Sequence, residues 1–223
     1  MHQRKGKKIL IYFFLLIFVG SINNIGLNSL KFDKINNFKV IGLEGLDKSI
    51  LLEEIKNLNL GNIFFINHND ITDKIESNNL VENYNIFKKY PFSLEVKIER
   101  TKFLARVSNN EKIFLVGSNG KLIKDNYLIN QLPFIFGKPT TQDFLKFKKI
   151  IDESKFSYNE IKNLYFFPSR RWDLEFKNNI LIKLPNNSNK VSMNLIFEFL
   201  HDNNFKDIKI IDARIKNQII LND

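Results

Sequence analysis

The sequence predicts an α+β protein with a single transmembrane helix, a small β-α-α-β-β domain, and then a curved antiparallel β-sheet domain with two or more helices. Three observations support this prediction. Basic residues directly precede an apolar run near the N-terminus, strand and helix patterns alternate in the next segment, and hairpin patterns dominate the remainder. The predicted parts are a cytoplasmic stub at 1–8, the anchor at 9–27, a linker at 28–37, the small domain at 38–100 and the sheet domain at 101–223.

The N-terminal segment predicts a membrane anchor and its orientation. The unbroken apolar run 9–19 follows directly after four cations, Arg4, Lys5, Lys7 and Lys8. Such cations hold their end of a nascent chain in the cytoplasm, so the residues from about 28 onward are expected in the periplasm. Because the run is shorter than the ~20 residues that span a bilayer, a cleaved secretory signal is the alternative. Ile22, Ile25 and Leu27 lengthen the apolar segment and favour a retained anchor.

The composition excludes several kinds of function. The chain has no cysteine, which excludes disulfides, thiolate chemistry and cysteine-ligated zinc. Its formal net charge is +10, but the lysines are dispersed along the chain, so nucleic-acid binding is not expected. His2, His68 and His201 are far apart, and no supported nucleophile motif is present. We therefore expect no catalysis, no metal and no cofactor; a secreted periplasmic hydrolase is the less favoured alternative.

The small domain is predicted from the alternation of its apolar residues. A strand at 38–43 is followed by a helix capped by Asp47 and Ser49, with one apolar face made of Leu51, Ile55 and Leu58. Asn69 and Asp70 are predicted to cap a second helix with Ile71 and Ile75 inward. After a strand at 84–88, four alternating residues predict the core face of the last strand: Phe92, Leu94, Val96 and Ile98.

The second domain is predicted as a series of hairpins with two helices between them. Asn119-Gly120 predicts a tight turn between strands at 113–116 and 122–123. The first helix carries Phe144, Phe147 and Ile151; the second is expected to bury Val191, Leu195, Ile196, Phe199 and Leu200. Strands are predicted at 161–166, 172–177, 180–184, 206–211 and 218–221, with Trp172 in the core.

Five short motifs occur in order along the chain. They are Val40-x-Gly42, Tyr90-Pro91-x-x-Leu94-x-Val96-x-Ile98-Glu99-Arg100, Leu132-Pro133-x-x-x-Gly137, Arg170-Arg171-Trp172-Asp173-Leu174 and Ile211-Asp212-Ala213-Arg214. Together with the basic stub and the anchor, this ordered set resembles the FtsQ/DivIB family of bacterial cell-division proteins. The resemblance covers nearly the whole chain, and it implies a POTRA domain at 38–100 followed by an FtsQ-type β-domain at 101–223.

The resemblance also implies a function. Proteins of this family are scaffolds of the division septum, so the chain is expected to be a single-pass protein of the bacterial inner membrane. It would recruit FtsB- and FtsL-like division proteins, and other divisome membrane proteins, through its periplasmic β-domain. The alternative is a POTRA-containing factor of periplasmic protein transport or assembly. Such proteins carry a barrel of many ~10-residue strands, for which residues 101–223 leave no room.

The C-terminal segment offers a physical mechanism for recruitment. Residues 218–221 are rich in β-branched side chains and contain no proline or charge, as expected for a sheet edge left open to a partner strand. The resemblance implies that an FtsB-like partner adds its strand beside this one, and that two arginines face acidic groups of the partner. The candidate partner-binding residues are therefore Arg170, Arg171, Ile215, Ile219, Ile220 and Leu221.

Overall fold

The computed structural model describes residues 3–22, 34–127, 129–201, 208–215 and 218–222. Helix α1, Gln3–Ile22, carries the apolar run, and the large side chains of this run are exposed. In the described part of the chain, no helix is both long and apolar enough to cross a bilayer. The last residues of the predicted anchor, 23–27, lie outside the described residues, and the anchor at 9–27 stays a prediction.

The first domain has the predicted order of strand, helix, helix, strand and strand. Its elements are β1 (Asn37–Ile41), α2 (Gly45–Asn57), a 3-10 turn (Ile63–Phe65), α3 (His68–Ser77), β2 (Val81–Lys89) and β3 (Ser93–Arg100). The strand order is β1-β3-β2, with β1 parallel and β2 antiparallel to β3. Strand β3 therefore lies at the centre of this sheet, which explains why its alternation is the clearest in the sequence.

The core of the first domain confirms most of the predicted apolar faces and corrects one position. The inward residues Leu51, Ile55, Ile71, Ile75, Leu94, Val96 and Ile98 are buried. Phe92, predicted on the same face, is exposed because β3 begins one residue later. Both helices also begin earlier than predicted: Glu44 occupies the N-cap of α2, and Asn67 caps α3 by accepting a hydrogen bond from the Asn69 backbone.

The described part of the second domain forms one sheet of nine strands, with two helices packed against it. Its elements are β4 (Phe103–Asn109), β5 (Lys112–Gly117), β6 (Leu122–Lys124), β7 (Phe134–Phe136), α4 (Thr141–Glu153), β8 (Ile161–Phe166), β9 (Trp172–Phe176), β10 (Leu181–Lys183), α5 (Lys190–Leu200), β11 (Ile210–Asp212) and β12 (Ile220–Asn222). The strand order is β12-β11-β10-β9-β8-β7-β4-β5-β6.

The prediction of a purely antiparallel sheet is wrong. Three pairs are parallel: β4 with β7, β7 with β8, and β10 with β11. The last two pairs have a helix between their strands, α4 in one case and α5 in the other. A helix returns the chain to the end of the sheet from which it started, so the next strand runs in the same direction. The two helices predicted from the sequence are therefore crossover connections.

The two helices pack on the sheet differently from each other. Helix α4 buries Phe144, Phe147 and Ile151 as predicted, and the Trp172 ring is buried and stacked on Phe147 with centroids 4.8 Å apart. In helix α5, the predicted residue Ile196 is buried and Phe199 and Leu200 are half-buried. Val191 and Leu195, predicted on the same face, are exposed, and Met193 is buried instead. Helix α5 carries apolar residues on several of its own sides, so their spacing in the sequence does not define a single inward face.

Candidate partner-binding site

The two edges of the nine-stranded sheet have different surroundings. At one edge, β6 lies against the first domain: the Asn79 side-chain amide donates to the Leu122 carbonyl over 2.9 Å. The ammonium group of Lys121, just before β6, donates to the backbone carbonyls of Glu76 and Asn78. Ile123 of β6 is itself part of the first domain's core. The first domain therefore covers this edge.

A partly buried polar cluster holds the first domain in this position. One carboxylate oxygen of Glu82 accepts hydrogen bonds from the hydroxyls of Thr101, at 2.9 Å, and Ser118, at 2.7 Å. The Asn119 amide donates to the carbonyls of Asn79 and Val81, both over 2.9 Å. Asn119, predicted only as a turn residue, therefore also joins the two domains.

At the other edge, β12 pairs only with β11 among the described strands. The register is antiparallel, with Ile220 opposite Asp212 and Leu221 opposite Ile211. Ile220 is exposed, Leu221 is half-buried, and Ile219 packs against the core of the sheet domain. In an edge strand, every second backbone N–H and C=O points away from the sheet. This edge can therefore accept a further strand.

Ile215 lies outside β12. It is exposed in the turn between β11 and β12, where its carbonyl accepts a hydrogen bond from the Gln218 backbone over 3.2 Å. Residues 216–217 of the predicted docking segment lie outside the described residues. Of the four predicted apolar candidates, the structure thus places two in the edge strand, one just before it and one in the preceding turn.

Arg171 is held by contacts within the chain. Its Nε donates to Oδ1 of Asp173 over 3.0 Å, and its guanidinium lies 4.1 Å from the centre of the Phe167 ring. Asp173 is buried, and this burial raises the pKa of its carboxyl group although Arg171 and the Leu184 backbone N–H act in the opposite direction. The side chain of Arg171 therefore has a fixed orientation before any partner arrives.

Arg214 lies near Arg171. In the sequence, Arg214 is singled out only as the last residue of the motif Ile211-Asp212-Ala213-Arg214. Both arginines line one open hollow on the sheet, together with Asp173 and Lys183. Arg214 forms a bidentate pair with Asp212, 2.8 Å from Nε to Oδ1 and 2.6 Å from the terminal nitrogen to Oδ2, which lowers the pKa of that carboxyl group. The i, i+2 spacing of the two residues was a usable signal, because such pairs lie on one side of an extended chain.

Arg170 lies apart from Arg171 although the two are consecutive in sequence. It has a positive φ of 63° in the turn between β8 and β9, and it pairs with Asp143 of α4 over 2.9 Å. The pKa of Asp143 is lowered first by the Thr140 hydroxyl and then by Arg170. Arg170 lines a separate hollow with residues of α4. The structure therefore does not bring the two predicted arginines together.

A second polar network stiffens the middle of the sheet. Glu175 of β9 accepts hydrogen bonds from Asn163, Tyr165 and Lys162 of β8 at 2.9, 2.6 and 2.9 Å. These donors lower the pKa of Glu175 to about 2. Burial, followed by the hydrogen bond to Glu175, raises the pKa of Tyr165 to about 12. The network keeps the carboxylate charged and the phenol protonated, which suits a structural role.

The described residues contain no cluster of three or more histidine or acidic side chains that could hold a metal ion. His68 begins α3 in the first domain, whereas His201 follows α5 in the second. His201 is occupied locally, because its ring lies on Phe197 and its Nδ1 is 2.9 Å from the Phe197 carbonyl.

Two family models match consecutive parts of the chain. The family model described as POTRA domain, FtsQ-type, matches residues 33–100, and the model described as cell division protein FtsQ/DivIB, C-terminal, matches residues 105–214. Cell division protein FtsQ of Rickettsia bellii is 21% identical over 195 residues, which cover 83% of this chain and 70% of that protein. Cell division protein DivIB of Clostridium botulinum is 27% identical over 152 residues, or 66% of this chain and 59% of that protein.

One solved structure overlaps with part of the chain. It is the major extracytoplasmic domain of the cell-division protein DivIB from Geobacillus stearothermophilus, with a TM-score of 0.31 and 14% identity. The overlap covers 37% of this chain and 76% of that one. A TM-score this low does not establish a shared fold, so the relationship depends on the two family models.

Proposed function

Because the chain belongs to the FtsQ/DivIB family of cell-division proteins, we propose that it is a non-catalytic scaffold of the bacterial division septum. It binds an FtsB-like partner, together with FtsL, by adding a strand of the partner beside β12. The observation that supports this most directly is the difference between the two sheet edges: the first domain packs on β6, whereas no described strand lies beyond β12.

Strand addition explains why an open edge is useful here. Unpaired backbone groups at a sheet edge bind an extended peptide through main-chain hydrogen bonds, and the alternate side chains supply specificity. A protein without such a partner usually protects an edge with charge, proline or a bulge. Ile220 and Leu221 in β12 provide none of these. The exposed side chain of Ile220 can pack on an apolar residue of the incoming strand.

The arginines are proposed to orient the partner. Arg171 lies in a hollow that opens beside β9 and β10, and Arg170 lies on the turn before β9. Each already pairs with a carboxylate of this chain, so an acidic group of the partner would share the guanidinium with that carboxylate. Exposed ion pairs contribute only about 0–1 kcal/mol. We therefore expect the arginines to affect association rate and register more than affinity.

The proposed topology has residues 1–8 in the cytoplasm, 9–27 in the inner membrane and 28–37 as a periplasmic linker. The exposed apolar side chains of α1 and the cations before them support this orientation. A reporter that is active only in the periplasm, fused after Asp223, should be active, and the mature protein should keep its N-terminal residues. A soluble product that begins near residues 21–24 would contradict the anchor.

Proline scanning of β12 tests the docking edge. Proline removes a backbone donor and fixes φ, so Ile219→Pro or Ile220→Pro, whichever N–H points outward, should abolish capture of an FtsB-like partner in a pull-down. Ile220→Thr keeps the backbone donor and a β-branched shape, and it is the matched control. Circular dichroism must show that the variants are folded. If both folded proline variants bind at wild-type strength, the docking edge is elsewhere.

Arg171→Glu gives an independent measurement on the same complex. Charge reversal should weaken capture more at low salt than at high salt, because ions screen exposed charges beyond a Debye length. Arg171→Gln, which removes the charge without reversing it, is the control for the loss of the Asp173 pair. Equal weakening at both salt concentrations would show that the arginine acts through folding and not through the partner.

A further inference from the structure

The end of the first domain that is farther from the sheet domain carries exposed aromatic side chains. Strands β1 and β3 both begin at this end, since Asn37 pairs with Ser93, and the β2–β3 turn is also there. The opposite end holds Val81 and Arg100, which lead to the junction with the sheet domain. We call the first location the aromatic end, defined by Phe64, Phe65, Tyr90 and Phe92.

A short turn and one ring contact position two of these rings. Phe64 and Phe65 belong to the 3-10 turn, in which the Asn62 side chain accepts the Phe64 backbone N–H over 2.8 Å. The Phe64 ring packs on the Tyr90 ring with centroids 5.2 Å apart. Phe65 projects furthest, with 81% of its surface exposed. A contiguous exposed aromatic surface of this kind marks an interaction site.

Cations surround the aromatic end. Lys34 pairs through its backbone with Asn62, and Lys88 and Lys89 end β2 just before the turn. None of the three forms an ion pair with another described residue. Proteins that bind at a bilayer surface place tyrosine at the level of the headgroups and phenylalanine at the acyl boundary, with lysines beside them. Unpaired lysines add attraction to anionic lipids.

The connection of the first domain to α1 indicates that the membrane is what contacts the aromatic end. Lys34 begins the described part of the first domain beside the aromatic end, and α1 ends at Ile22. The residues between them, 23–33, allow at most about 43 Å between Ile22 and Lys34 when fully extended. With α1 in the bilayer, which is the part of the proposed function used here, the aromatic end is the part of the domain held closest to the lipid surface.

We propose that the aromatic end docks on the anionic lipid surface of the membrane that holds α1, with Phe65 and Tyr90 among the headgroups and the three lysines beside lipid phosphates. Docking fixes the first domain on the bilayer and directs the sheet domain, at the opposite end, away from it. The edge β12 is then held at a defined distance from the membrane.

The test uses residues 34–223, which lack α1. Every described residue of the two hydrophobic cores lies at or after Ile35, so this fragment keeps the described part of both cores, and circular dichroism of the fragment checks that it is folded. It is mixed with vesicles of phosphatidylglycerol and phosphatidylethanolamine, or of phosphatidylcholine alone, and the bound fraction is measured by co-sedimentation. We expect binding to the anionic vesicles that weakens with salt. Phe65→Ser should lower the partition coefficient about tenfold, as expected for withdrawing half or more of a phenylalanine ring from the interface.

The matched control is Leu46→Ser. Leu46 is 76% exposed, similar to Phe65, but it lies at the start of α2, beside Asp47, whose carboxylate accepts a hydrogen bond from Tyr127 of the sheet domain. This variant should bind vesicles like the wild type. Absence of binding to anionic vesicles, or equal effects of the two serine variants, would overturn the proposal.

Two further outcomes distinguish a lipid contact from a contact between two copies of the chain and from the docking edge at β12. If Phe65→Ser changes the sedimentation of the fragment in solution but not its binding to vesicles, the aromatic end joins two copies of the chain, and the lipid proposal is wrong. Partner capture through β12 is measured without lipid. If the fragment does not bind vesicles but still captures the partner, only the lipid contact is overturned. If it binds vesicles but does not capture the partner, only the docking edge at β12 is overturned.

Discussion

Replacing Gly42 by alanine should destabilise the first domain by about 3–4 kcal/mol, which is a large effect for a single methyl group. Gly42 follows β1 with a φ of +101°, a region that residues with a Cβ adopt at a cost of about 1–3 kcal/mol. An alanine Cβ would also overlap the carbonyl oxygen of Ile98 and lie 2.8 Å from the Ile98 carbonyl carbon. That neighbour is the backbone of the central strand β3, so it can yield only by disturbing the pairing of β1 with β3.

Substitutions at two other glycines distinguish the cost of the positive φ from the cost of the contact with the Ile98 backbone. Gly45 has a φ of +55°, and an alanine Cβ there would meet open space, so Gly45→Ala should cost only the backbone strain, about 1–2 kcal/mol. Gly61 has open space and no positive φ, so Gly61→Ala should lie within about 1 kcal/mol of the wild type. Urea unfolding followed by circular dichroism measures all three. A cost for Gly42→Ala no larger than that for Gly45→Ala would refute the close approach to β3.

Three further predictions concern buried and charged side chains. Leu94→Ala should cost about 2–5 kcal/mol in urea unfolding and Glu95→Ala at most about 1 kcal/mol; similar losses would show that the register of β3 is wrong. Asp173→Ala should cost about 1–3 kcal/mol, because it removes a buried acceptor of Arg171 and of the Leu184 backbone N–H, and a neutral effect would contradict that pairing. Since the folded-state pKa of Glu175, about 2, lies below the ordinary 4.5, its charge stabilises the fold above that ordinary value, and this contribution is lost as the pH falls towards 2. The stability deficit of Glu175→Gln should therefore shrink in acid, and a deficit that does not change with pH would contradict the network.

The sequence predicted what depends on local periodicity. Leu94, Val96 and Ile98 alternate with polar residues on a strand that has one face in the core, and the structure buries all three. The same pattern included Phe92 wrongly, because apolar alternation continued past the point where the strand starts pairing. Periodicity defines the face of a strand but not its ends. This is also why both helix starts in the first domain were placed too late.

The sequence could not predict what depends on distant partners. Parallel pairing of β4 with β7 joins segments separated by a complete hairpin, and nothing in either segment encodes the other. The face of α5 is ambiguous for a similar reason: Val191 and Leu195 satisfy helical spacing around the buried Ile196 as well as Met193 does. The sheet decides between these faces. Arg170 and Arg171 were grouped by sequence adjacency, but a positive φ at Arg170 directs the two to different neighbours.

The covered edge gives the first domain a role in assembly that its own fold does not suggest. A sheet with two open edges can add identical chains head to tail, and an edge contact that does not close into a ring produces filaments. Packing of the first domain on β6, through Asn79 and Lys121, leaves β12 as the open edge among the described strands. Pairing of β12 with β6 of another copy would require loss of the junction that Glu82 and Asn119 hold together. The arrangement therefore disfavours head-to-tail addition of identical chains, and under the function proposed above β12 would accept one partner strand per chain.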